Sequence, residues 1–102
     1  MIAENVLGNL VYSKSGRDQG RPFVVIRIVN EHYVIISDGD TRKIENPKMK
    51  NVKHLQFTKR KANEVIDYLN RGEVPENHMI KKSIRQILEK GETDGEGGLV
   101  NG

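Results

Sequence analysis

Between Gly8 and Asp40 the chain passes from an apolar segment through a glycine-punctuated basic loop to two β-branched runs, and this order leaves few folds open. Phe23-Val24-Val25-Ile26-Arg27-Ile28-Val29 is rich in residues that fit a pleated, buried surface, so it reads as a central strand. Asn30-Glu31 supplies a short turn, and His32-Tyr33-Val34-Ile35-Ile36-Ser37 pairs back antiparallel. Asp38-Gly39-Asp40 is a hairpin turn, because Gly39 tolerates positive φ and the carboxylates accept from local N–H groups. Leu10-Val11-Tyr12 begins an earlier strand, which Ser13-Lys14-Ser15-Gly16-Arg17-Asp18-Gln19-Gly20-Arg21 joins to the central one. Backbone N–H groups freed by such glycine turns face anions, and Arg17 and Arg21 suit bidentate contact with phosphate.

Beyond Asp40, Thr41-Arg42-Lys43-Ile44-Glu45 reads as a short polar strand that Asn46-Pro47 breaks. Val52-Lys53-His54-Leu55-Gln56-Phe57 alternates apolar and polar residues, the period of a half-buried strand. Five short strands joined by tight turns predict a small, strongly bent barrel, with Pro22 at a strand start where its missing donor costs little. After Phe57 the period changes. Thr58 is a candidate N-cap, Ala62, Val65, Ile66 and Leu69 fall on one helical face, and Gly72 is a stop signal. Pro75 to Asn77 starts a second helix with Asn77 as a candidate cap; Ile80, Ile84, Ile87 and Leu88 form its stripe, and Gly91 ends it. Helices this short need a surface to bury against, and the barrel is the nearest. The expected organisation is therefore a barrel over 1–57, a helical hairpin packed on it over 58–91, and an acidic, glycine-rich disordered tail over 92–102.

Charge is distributed unevenly along the 102 residues. Twelve cations face six anions through Lys61, whereas five cations face eight anions after it. A basic front half suggests a polyanion-binding face, and a solvated basic surface is the plainer alternative. There is no Cys, which excludes disulfides and thiolate metal sites and fits a reducing cytosol. No signal peptide is evident, and the apolar run from Phe23 to Ile26 is too short to span a bilayer. A cytoplasmic protein without a membrane partner is expected.

The segment from Gly8 to Phe57 resembles the KOW family, the motif shared by ribosomal proteins and transcription elongation factors. It looks most like the bacterial KOW-domain RNA-binding proteins related to the fourteenth large-subunit ribosomal protein of archaea and eukaryotes. Gly8-Asn9-Leu10-Val11, the loop from Ser15 to Arg21, the apolar strand after it, Ser37-Asp38-Gly39, Arg42-Lys43 and Lys53-His54-Leu55-Gln56 carry the resemblance. Gly20 matches the motif's characteristic glycine, while Pro22-Phe23 stands where many members carry a further glycine. The resemblance implies an SH3-like five-stranded barrel, here followed by two short helices, and RNA binding in or near the ribosome.

The candidate RNA-binding residues are Lys14, Arg17, Gly20, Arg21, Arg42, Lys43, Lys48, Lys50, Lys53 and His54. The first loop positions its cations by glycines, which favours phosphate and sugar contact over a merely soluble turn. Arg42 and Lys43 either extend that surface or protect a strand edge. Lys48 and Lys50 share one side of an extended chain, and Lys53 falls out of that phase. His54 could reach phosphate or stack on a base, although a surface strand histidine is the plainer reading. Phe23 reads as core, and so few aromatics favour structured RNA held by its backbone over a broad stacking platform. His32, His54 and His78 lack metal spacing, and no nucleophile–base constellation, P-loop or zinc pattern is present. No cofactor, metal or catalytic role is assigned. The chain therefore reads as a non-enzymatic RNA-binding module docking on ribosomal RNA in translation. The alternative is an adaptor whose second helix exposes Ile80, Ile84 and Ile87 to a ribosomal protein or the transcription machinery.

Overall fold

A computed structural model describes residues 6–90. Five antiparallel strands form one open sheet: β1 (Asn9–Ser13), β2 (Pro22–Ile28), β3 (Tyr33–Ser37), β4 (Lys48–Asn51) and β5 (Leu55–Lys61). Two helices follow, α1 (Asn63–Asn70) and α2 (Asn77–Lys90). The strand order is β4-β3-β2-β1-β5, which places the apolar β2 at the centre. A 3-10 turn, Val52–His54, separates β4 from β5, so strands adjacent in sequence end on opposite edges and the sheet is not closed. Among the described residues no helix is long and apolar enough to cross a membrane.

The near-continuous apolar run of β2 reflects burial on both faces. Phe23 and Val25 pack with Val11, Val34, Ile36 and Leu55 in one cluster. This cluster draws on β5 at one edge and β3 near the other, so the sheet curls around it. Val24 points the opposite way and packs with Leu10, Ala62, Val65, Met79, Ile80 and Ile84 in a second cluster beneath the helices. Alternate side chains of one strand thus feed separate cores. Register breaks between Asn9 and Val11 and between Val25 and Arg27 supply local bends.

Both amphipathic stripes face the sheet. Val65 is buried from α1 and Ala62 just before it, and Ile80 and Ile84 from α2, with Ile87 and Leu88 half-buried. Eight residues of α1 form an unstable helix in isolation, so its stability comes from this packing. Ile80 and Ile84 are buried and Ile87 is half-buried, so α2 does not expose these three residues as the adaptor alternative expected.

Three local expectations are corrected. Thr41 to Glu45 is not a strand; the fourth strand is Lys48–Asn51, after Pro47. Side chains satisfy the backbone there instead of a ladder. Asp38 Oδ1 accepts from the N–H groups of Asp40 and Arg42, and Asn77 Oδ1 accepts from Ile44 N–H at 2.8 Å. Thr58 does not cap α1. It lies within β5, where its hydroxyl donates to the Leu10 carbonyl at 2.7 Å, and α1 starts after Ala62 without a side-chain cap. Asn77 is the first residue of α2 and spends its side chain on Ile44 and the Glu45 carboxylate. The expected tail over 92–102 lies outside the described residues.

Gly39 makes this docking possible. Its φ is +75°, and a Cβ there would overlap the backbone carbonyl of Asn77. A residue without a side chain therefore lets the first turn of α2 sit directly on the β3–β4 connection.

Candidate nucleic-acid interface

The β1–β2 loop is held by a buried ionic network. Lys48 and Lys50 alternate along β4 and point their ammonium groups toward the loop. Lys50 Nζ lies 3.0 Å from Ser13 Oγ, 3.2 Å from the Ser15 carbonyl and 3.2 Å from Asp18 Oδ1. Lys48 Nζ lies 3.2 Å from Asp18 Oδ2, and the Ser13 hydroxyl donates to Asp18 Oδ1 at 2.7 Å. Burial pushes the Asp18 carboxyl up, but the bonds from Ser13, Lys48 and Lys50 outweigh it and hold the pKa at about 2. The carboxylate at the centre of the loop is thus ionised and fully occupied.

This arrangement reassigns two of the candidate residues. Lys50 is buried, and its ammonium is consumed inside the protein, so it fixes the loop and offers no surface charge. Gly20 has a φ of +85°, as a tight turn needs, yet its N–H donates to the Ser13 carbonyl at 2.7 Å and does not face outward. The N–H groups of Gln19 and Arg21 are likewise bonded, to the carbonyls of Gly16 and Asp18. These three main-chain donors brace the loop from within.

Four candidates converge. Arg17, Arg21, Arg42 and Lys48 line one cleft of about 370 Å³, together with Asp18, Phe23 and Thr41. Phe23 belongs to the core and forms the inner wall. Arg17 and Arg42 make no ion pair among the described residues, and Arg21 stands 3.8 Å from Asp38. Asp38 is itself tied down. Its carboxylate accepts from the Thr41 hydroxyl at 2.6 Å and from the N–H groups of Asp40 and Arg42. Burial raises its pKa, and these bonds more than offset that rise, leaving it below the ordinary carboxylate value. Guanidinium groups from the first loop and from the β3–β4 connection, far apart in sequence, therefore share one mouth.

The other candidates sit elsewhere. Lys14 is exposed and its N–H donates to the His54 carbonyl at 2.8 Å, which brings the first loop beside the 3-10 turn carrying Lys53 and His54. Lys43 is exposed on the β3–β4 connection and does not line the cleft. No protein-family model matches the chain, and no curated protein matches it. Sequence reading missed the organising role of Asp18, whereas Asp38 accepts from local N–H groups as its turn position predicts. The shared side of Lys48 and Lys50 is the one signal that pointed toward Asp18, since alternating residues of a strand aim at one neighbour.

Proposed function

We propose that this protein is a non-enzymatic RNA-binding module of the SH3-like KOW type, acting in translation by docking on ribosomal RNA. The observation that carries the reading is the convergence of Arg17, Arg21, Arg42 and Lys48 on one cleft, where Asp18 is paired with Lys48 and Lys50 and Asp38 is held by the Thr41 hydroxyl and backbone N–H groups. Planar guanidinium groups gathered in this way suit phosphate oxygens. The fold reading is supported by a single five-stranded sheet that curls around one core and has its shortest strand, β4, at an edge. The basic cleft and the Gly8-to-Phe57 resemblance point to the same surface.

The test is a salt titration of binding to a structured ribosomal RNA fragment. Affinity falls steeply with salt, because each neutralised phosphate releases counterions, with a log–log slope of about −0.7 per contact on single strands and about −0.9 on duplex B-DNA as the reference values. Reversing two cleft charges, Arg17→Glu with Arg21→Glu, weakens binding and flattens that slope by about 2, while circular dichroism shows an unchanged fold. Affinity that ignores salt, or a double variant that binds like wild type, refutes the assignment.

A further inference from the structure

A second cleft, of about 390 Å³, opens between α2 and the start of β2, and Arg21 lines both it and the basic cleft. Its chemistry differs from that of its neighbour. The floor is apolar, made by Pro22, Ile84 and Leu88. Lys81 and Arg85, one helical turn apart, stand at its rim and make no ion pair among the described residues. Asp40 and Glu89 supply exposed acceptors. Donors and acceptors around an apolar floor are a poor match for a second phosphate, which needs positive charge throughout. They match a planar heteroaromatic base, whose faces are apolar and whose edge carries both donors and acceptors.

We infer that this cleft receives one unpaired nucleobase of an RNA whose neighbouring phosphate lies on the Arg17, Arg21 and Arg42 side. The inference rests on the proposed RNA-binding role and adds to it a preference for interrupted over continuous helices. Arg21 lies between the two pockets and serves as the divider between base and phosphate. The docking of Asn77 on Ile44 and Glu45 holds the first turn of α2, and so the cleft wall, against the connection that bears Arg42. The helices thereby become part of the nucleic-acid surface.

The experiment compares two labelled RNA hairpins by fluorescence polarisation, one fully paired and one identical except for a single bulged nucleotide. Wild-type protein binds the bulged hairpin at least about fivefold more tightly. Lys81→Gln with Arg85→Gln, on an exposed helix face that accepts Gln well, brings the two affinities within about twofold of each other, the size of difference expected once base contact is lost. Arg27→Gln removes an exposed cation that lines neither cleft and leaves the ratio unchanged. Equal affinity of wild-type protein for both hairpins overturns the base pocket and leaves the phosphate cleft standing. A preference that persists in the double variant overturns the placement beneath α2. Failure to bind either hairpin at low salt overturns the RNA reading itself.

Discussion

Replacing Asp18 by Asn distinguishes a braced loop from a set of untethered charges. The carboxylate is only 13% exposed and accepts from Ser13, Lys48 and Lys50. Those bonds overcome the effect of burial and lower its pKa from 3.8 to about 2. That difference corresponds to about 2.5 kcal/mol in favour of the ionised form, which solvent screening at the rim reduces to about 1 kcal/mol. The substitution also leaves Lys50, 8% exposed, without its counter-ion, so a total loss of about 1–2 kcal/mol is expected. Thermal unfolding then falls by roughly 4–10 °C for a domain of this size. The pH dependence has a definite sign. The folded pKa is depressed, so the Asp18 contribution is complete above the unfolded value of 3.8 and is lost as pH drops toward about 2. The stability gap between wild type and Asp18→Asn therefore narrows across that window. RNA binding supplies the sharper contrast. Charge alone predicts tighter binding, because an anion has been removed from a basic cleft. Positioning predicts weaker binding, by roughly two- to tenfold, or up to about 1.4 kcal/mol, because Arg17 and Arg21 flank the released residue. Tighter binding by Asp18→Asn, measured by fluorescence polarisation, refutes the role assigned to the network.

Two further substitutions probe the frame that carries the clefts. Gly39→Ala combines a left-handed backbone, φ +75°, with a methyl group that overlaps the Asn77 carbonyl; it costs at least about 2 kcal/mol, and an unchanged unfolding midpoint would show that α2 docks differently. Ile80→Ala empties a fully buried position in the cluster between sheet and helices. It lowers the urea midpoint by an amount equivalent to about 2–4 kcal/mol with the slope unchanged, and a neutral result contradicts the packing of α2 on β2.

Local sequence determined the elements whose chemistry is complete within a few residues. The β-branched run after Pro22 made β2, Asn30 closed the following turn by accepting from the N–H groups of His32 and Tyr33, and Ile80 and Ile84 marked the buried face of α2. The charge of the first-loop arginines was legible, but their convergence with Arg42 on one cleft was not. What stayed hidden depended on partners distant in the chain. Thr41 to Glu45 reads as a strand until Asn77, thirty-three residues beyond Ile44, takes up the Ile44 N–H. Lys50 reads as a surface cation until Asp18, thirty-two residues away, draws it inward. Hydrophobic period and turn chemistry are short-range properties and can be read along a chain. The pairing of a buried charge is decided only when folding brings its counter-ion within hydrogen-bond distance, because the cost of desolvating it must be met there. The sequence therefore set which cations this protein carries, and the tertiary structure decided which of them brace the loop and which reach the surface.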